Sequence, residues 1–310
     1  MSKRSLKRIL GQVISDLRGG NQLSTALAKH PRIFPPIYCR LLSVGERAGN
    51  LEVLLRQIAD YMEKHMATAK KIKSALRYPI IIGVVAVVVV AVLVTFVFPA
   101  FSKLYSSLGA ELPAISRIVF EGVGKLRSLG IYILLAALVA VGLVFIYARS
   151  PQGRYKLHGL LLKLPLVGRV IHLNQLAGCC RNISLLYNAG LPLTEIMPLV
   201  IQASGNSVMA KALTDVHRDM TQGEGLSKPM QKNRLFLPMM VQMVKVGEET
   251  GNLNTALSAA AQSYETEAED RTSSLISFIE PLMTGIVGMI VAFIALSLFS
   301  AIYSIYGQLG

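Results

Sequence analysis

Three uncharged runs constrain this chain more than any other feature. No Asp, Glu, Lys or Arg occurs from Tyr78 to Ser102, from Ser128 to Ala148, or from Pro281 to Gly310. Each run is long enough for an α-helix to cross a hydrocarbon core, which takes ~20 predominantly apolar residues. A buried strand could read like Ile80-Ile81-Ile82-Gly83-Val84-Val85 locally, but such strands stop after ~4–8 residues. The runs also account for a charged fraction of only 16% and a mean hydropathy of +0.49. A soluble domain carries nearer ~25% charged residues. The expected class is an all-α membrane protein with three transmembrane helices, at 79–101, 129–148 and 281–305.

Charge sets the expected orientation. Lys64, Lys70, Lys71, Lys73 and Arg77 precede the first span, and Arg149, Arg154, Lys156, Lys163 and Arg169 follow the second. The intervening 102–128 segment carries Lys103, Arg117, Lys125 and Arg127, diluted by Glu111 and Glu121. Basic flanks stay in the cytoplasm, so the N-terminus and residues 149–280 are expected there. The 102–128 loop and the C-terminus are then extracytoplasmic. After Met1-Ser2-Lys3-Arg4 comes an amphipathic stretch with no apolar h-region, so the first span is expected to start insertion. The net charge of +14 is read as contact with anionic lipid headgroups. No basic-aromatic interleaving of the kind that stacks bases is present, so no direct nucleic-acid partner is expected. Cys39, Cys179 and Cys180 are an odd set in cytosol-facing segments and read as reduced thiols.

An internal repeat organises the rest. Val44-Gly45-Glu46-Arg47-Ala48-Gly49-Asn50-Leu51 recurs as Val246-Gly247-Glu248-Glu249-Thr250-Gly251-Asn252-Leu253. The same offset carries Phe34, Pro36, Leu55, Pro79 and Gly83 onto Phe236, Pro238, Leu257, Pro281 and Gly285. With one inserted residue upstream, Leu10, Val13, Gly20, Leu23 and Ser24 map onto Leu213, Val216, Gly223, Leu226 and Ser227. The chain is therefore expected to hold two homologous cytoplasmic domains, 1–78 and 149–280, each leading into a membrane span.

The second domain reads as an antiparallel helical bundle. Val170, Leu173, Leu176, Ala177 and Cys180 fall at helical spacing, and Ala189-Gly190-Leu191-Pro192 breaks it. Thr194–Ala203, Ser207–Thr221 and Pro238–Val246 are expected helices, with Gly223 and Gly225 as stops. Asn252 is placed as the N-cap of a last helix that runs through 258–279 into the third span. Carried back by the repeat offset, the start of this domain at Arg169 falls before Met1. The first domain is thus expected to be N-terminally incomplete, through truncation or a gap filled by another subunit.

These motifs resemble one family. The repeated Gly-Glu-x-x-Gly-Asn-Leu, Tyr78-Pro79 and Glu280-Pro281 at the span entrances, Leu164-Pro165-Leu166-Val167-Gly168, and Asn188-Ala189-Gly190-Leu191-Pro192-Leu193 occur in the order seen in the type II secretion F-domain family. That family includes the platform proteins of type IV pilus assembly. The resemblance implies an inner-membrane platform on which a cytoplasmic hexameric ATPase docks against the two helical domains. Motion of the ATPase would then feed pilin or pseudopilin subunits into a growing fibre. Other inner-membrane platform subunits and a homo-oligomeric state are also implied. One sequence does not separate pilus biogenesis, protein secretion and DNA uptake.

No enzyme chemistry is legible. Gly122-Val123-Gly124-Lys125 lacks the spacing and the Ser/Thr of a phosphate loop. His30, His65, His158, His172 and His217 are scattered, without metal-ligand spacing. No catalytic residue, metal or cofactor is expected. A polytopic transporter or membrane enzyme is the alternative, yet transporter repeats place broken helices and polar sites at mid-membrane, and these spans are almost purely apolar.

Three features remain as candidate sites. Gly45, Glu46, Gly49, Asn50, Leu51 and their equivalents Gly247, Glu248, Gly251, Asn252 and Leu253 form two corners. In each corner the glutamate is placed to satisfy backbone donors at a helix start, and the corner is a candidate docking surface for a partner. At the membrane entrances, Pro79, Glu280 and Pro281 pair a helix kink with a carboxylate that needs a partner or an interfacial position, and Glu280 is a candidate contact for a pilin-like transmembrane helix. Lastly, 63–77 is basic and the equivalent 265–279 acidic, while Thr284, Gly288 and Ala292 form a small-residue strip suited to close helix contact.

Overall fold

The computed structural model of this protein describes residues 3–31, 33–92, 95, 96, 99, 132, 135, 138, 139, 142, 144, 146–165 and 167–309. Every regular element among them is helical. In chain order these are α1 (Lys3–Arg18), α2 (Leu23–Ala28), α3 (Pro36–Ala48), α4 (Leu51–Val92), α5 (Pro151–Lys163) and α6 (Val167–Asn188). They are followed by α7 (Leu193–Ala203), α8 (Ser207–Asp219), α9 (Ser227–Gln231), α10 (Pro238–Thr250) and α11 (Leu253–Leu309). The residues divide into two compact units, Met1–Ala69 with Pro151–Thr272, and Lys70–Ser150 with Ser273–Gly310.

The first unit has one hydrophobic core, centred on α6. Leu173, Leu176, Cys180, Ile183 and Leu186 on that helix are fully buried. Their spacing of three and four residues lays one apolar stripe down the helix. Ile196 and Met197 of α7, Met209 and Leu213 of α8, and Met230 of α9 close over it, each 0–1% exposed. Polar ends are met locally. Asn206 caps α8, its side chain accepting from the Val208 and Met209 N–H groups at 2.9 and 3.3 Å, as short polar N-caps do. The α5–α6 corner is tight: a Cβ on Gly168 would lie 2.4 Å from the Leu162 carbonyl oxygen, so only glycine fits there.

Two helices end differently from the sequence expectation. The helix expected over Ser207–Thr221 stops at Asp219 and passes into a π-type turn, Met220–Glu224. The helix expected to end at Val246 runs on to Thr250. Gly247 does not break it, because an α-helical glycine costs only about 1 kcal/mol and here serves close packing. The stop comes at Gly251, with φ +72°, where a left-handed residue lets the chain turn.

All three cysteines are free and buried. Burial pushes the Cys179 thiol up to about 12 and holds Cys180 well above its ordinary value, with the neighbouring Cys179 adding to the shift. Both thiols are therefore protonated in the fold at pH 8, and the thiolate is the reactive form. Iodoacetamide at that pH is expected to label the pair at least roughly tenfold more slowly in folded protein than after denaturation. The contribution of these buried thiols to stability is complete below the ordinary thiol value and is lost as pH rises from about 9 towards 12.

In the second unit the helices turn apolar. Helix α4 within Lys70–Val89 and α11 within Leu253–Ala292 each hold an 18-residue stretch of mean hydropathy 1.9, long and apolar enough to cross a membrane. Val87 is 70% and Met289 74% exposed, the pattern of a surface covered by lipid or another helix rather than water. Most of the expected 129–148 span and all of the 102–128 loop lie outside the described residues. Within this unit Lys71 Nζ donates to Ser273 Oγ at 2.8 Å, two residues exactly one repeat offset of 202 apart.

Candidate docking corners

The corner motifs turn out to be helix ends locked to a neighbouring helix start. Gly45 and Glu46 lie in the last turn of α3, and Gly247 and Glu248 in the last turn of α10. Glu46 reaches back to the start of α2, where its carboxylate accepts from the Leu23 and Ser24 N–H groups and the Ser24 hydroxyl. Glu248 does the same for α9, accepting from Leu226 N–H and, at 3.1 Å, Ser227 N–H. The first N–H groups of a helix have no partner within it, and negative charge is favoured there. In both corners the glutamate meets this need for a helix of five or six residues too short to be stable on its own.

Each remaining motif position has a physical task. Gly45 and Gly247 are buried where the following helix crosses. A Cβ on Gly45 would come within 2.7 Å of Leu54 Cδ1, and one on Gly247 within 2.8 Å of Leu253 Cα. Gly49 and Gly251 adopt φ +71° and +72°, the left-handed conformation that suits glycine. In the first corner the Asn50 N–H then returns to the Gly45 carbonyl at 3.1 Å, closing the turn as in a Schellman motif. Asn50 and Asn252 start α4 and α11 through their carbonyls, which accept from Leu54 and Ala256 N–H. Leu253 is 2% exposed and Leu51 packs on the same core. Arg47 and Glu249, the variable positions, are exposed. Gly45 and Gly247 thus serve packing and the two glutamates capping, while Arg47 and Glu249 face outward beside the exposed Asn50 and Asn252.

The membrane-entrance residues sit within continuous helices. Pro79 is inside α4 and Pro281 inside α11. Glu280 is exposed, and its main-chain carbonyl accepts from Thr284 Oγ1 at 3.0 Å. No described residue comes within 4 Å of a Cβ built on Gly288.

One polar constellation was not singled out from sequence. Arg181 of α6 makes a two-pronged pair with Glu265 of α11, Nε to Oε1 at 3.1 Å and Nη2 to Oε2 at 2.9 Å, and Nη1 donates to Ser258 at 3.2 Å. Such forked pairs fix geometry as well as charge. The available signal was Arg181 between the buried Cys180 and Ile183 of α6, with Ser258 and Glu265 seven residues apart downstream. Nearby, Glu267 takes Arg169 and Arg271.

Residues 1–99 and 179–301 match the family described as type II secretion system (T2SS), protein F. The chain belongs to that family. It is 32% identical over 99% of its length to the type IV pilus assembly protein TapC of Aeromonas hydrophila, covering 75% of that protein. It is 36% identical to the type IV pilus assembly protein PilC of Thermus thermophilus, again over 99% of this chain and 75% of the relative. Similarity to the type II secretion system protein F of Pseudomonas aeruginosa is 27% over the whole chain and 76% of that protein. These T2SS protein F relatives are thus matched across both corners and both apolar helices.

Proposed function

We propose that this chain is an inner-membrane platform protein that couples a cytoplasmic ATPase to the assembly of pilin-like subunits, in type IV pilus biogenesis or type II secretion. The observation that carries the reading is the match to pilus assembly and secretion proteins along essentially the whole chain. In this reading residues 1–78 and 149–280 are two homologous cytoplasmic domains, three helices cross the membrane, and the C-terminus is extracytoplasmic. The repeat is supported by Glu46 and Glu248, which perform the same task, and by the Lys71–Ser273 contact at the repeat's own spacing. The chain acts through geometry and coupling, while hydrolysis belongs to its partner. Homo-oligomerisation is favoured by the small-residue strip Thr284, Gly288 and Ala292 on α11, which suits close helix contact.

Glu280 is assigned a contact with the transmembrane helix of a pilin or pseudopilin. An exposed carboxylate next to Pro281 is costly at a membrane unless paired. Glu280→Ala is expected to leave insertion and cellular amount unchanged while reducing surface fibres at least roughly tenfold, about 1.4 kcal/mol of coupling. Quantitative fibre shearing alongside membrane immunoblots measures both. Normal fibre yield in the variant removes Glu280 from the substrate path.

A further inference from the structure

A cavity of about 450 Å³ opens in the first unit among α4, α6 and α11. It belongs to neither corner. Its walls are almost wholly polar: Gln57 and Asp60 come from α4, Arg181 and Asn188 from α6, Asn254 and Glu265 from α11, and Leu185 is the one aliphatic side chain. The volume suits a small ligand group, which generally needs ~300–1,000 Å³.

Hydrogen-bond accounting in this cavity leaves acceptors over. The donors of Arg181 are directed to Glu265 and Ser258. Asn254 Nδ2 donates to Asn188 Oδ1 at 3.1 Å, and Ser184 Oγ to the Asn254 carbonyl at 2.8 Å. Gln57 Oε1 is buried and has no donor among the described residues. Buried acceptors are almost always satisfied. The lining also carries two carboxylates, Asp60 and Glu265, against the single guanidinium of Arg181. A site with a spare buried carbonyl, surplus negative charge and few apolar walls selects a compact cation rich in N–H donors.

We propose that this cavity binds an alkylammonium or alkylguanidinium group. Gln57 Oε1 accepts one of its N–H bonds, and Asp60 supplies the compensating charge at the mouth. Two sources share this chemistry, a free polyamine and the basic side chain of a bound protein. The site stands apart from the platform reading, because its assay contains neither ATPase nor pilin.

The test uses the full chain in lipid nanodiscs, titrated calorimetrically with spermidine and with n-butylguanidinium. Saturable binding is expected, weakened at least roughly tenfold by Asp60→Asn and by Gln57→Met. The second substitution removes the orphan acceptor at similar volume, so its melting temperature should hold or rise. Tighter binding of spermidine assigns the site to a polyamine. Equal or tighter binding of butylguanidinium assigns it to a protein side chain. No saturable heat with either probe up to 10 mM overturns the proposal, where ~10 mM is an affinity near −3 kcal/mol. Binding that both variants leave unchanged overturns it as well.

Discussion

Glu248→Ala is expected to destabilise the first unit by ~2–4 kcal/mol, whereas Glu249→Ala next to it changes stability by less than ~0.5 kcal/mol. The two glutamates are adjacent in sequence and opposite in role. Glu248 is partly buried and holds two backbone N–H groups at the start of α9. Hydrogen bonds to a charged acceptor are worth ~1.5–3 kcal/mol each, and truncation leaves the donors unmet. Glu249 is exposed, and its contact with Lys245 is a 4.0 Å helix-surface pair of the kind worth ~0.3–0.5 kcal/mol. Glu248→Gln keeps one acceptor and should fall between them. In thermal unfolding of the purified full chain the alanine variant should melt roughly 5–12 °C lower, at ~2–4 °C per kcal/mol. Equal behaviour of the two alanine variants would show that the corner carboxylate does not secure α9.

Gly247→Ala is the second large effect, and it separates crowding from backbone strain. The new methyl would lie 2.8 Å from Leu253 Cα, 3.0 Å from Leu253 Cδ1 and 3.2 Å from Ala256 Cβ. Two of those three atoms belong to parts of α11 that no rotamer change can move, so α10 and α11 must shift apart. Overpacking of this kind costs ~1–3 kcal/mol or more. Gly45→Ala at the equivalent position meets Leu54 Cδ1 at 2.7 Å, the tip of a flexible side chain, and should cost less. Gly251→Ala meets nothing within 4 Å but must keep φ +72°, a strain of ~1–2 kcal/mol. Asparagine tolerates that conformation better, so Gly251→Asn should recover part of the loss while Gly247→Asn recovers none. Melting temperatures of the five variants order these costs, and a Gly45→Ala penalty equal to or above that of Gly247→Ala would contradict the crowding argument.

The helices, the buried stripe on α6 and the corner glutamates were legible because each leaves a local mark. Helical spacing exposed Leu173, Leu176 and Cys180, and the repeat flagged Gly45, Glu46, Gly247 and Glu248 twice over. The uncharged runs near residue 80 and after Pro281 read directly as long apolar helices. What sequence did not give was the partner of each corner. The recipients of Glu46 and Glu248 lie 22 and 23 residues upstream in the first corner and 21 and 22 in the second, and a backbone N–H carries no residue signature. The end of α10 was misplaced for a related reason: a glycine in a helix and a glycine that ends one look alike until φ is known. The polar cavity was invisible because its walls come from helices about 120 and 200 residues apart, far outside any periodic pattern.

The capping task of Glu46 and Glu248 has a functional consequence. Arg47 and Glu249 are exposed, as are Asn50 and Asn252, and a partner that reads the corners meets these side chains rather than the half-buried Glu46 and Glu248. Corner variants that lose pilus or secretion function should therefore be sorted by melting temperature first. Those at Glu46 and Glu248 act through the fold, and those at Arg47 and Glu249 act on contact.

The most direct measurement is site-specific photo-crosslinking in cells that assemble fibres, with probes placed one at a time at Arg47, at Glu249 and at exposed positions across residues 1–78 and 149–280. The platform account predicts capture of the assembly ATPase from the cytoplasmic domains, with Arg47 and Glu249 among the capturing positions. Capture elsewhere on the domains but at neither corner would make the corners purely structural. Failure to capture an ATPase from any of these positions would contradict the account.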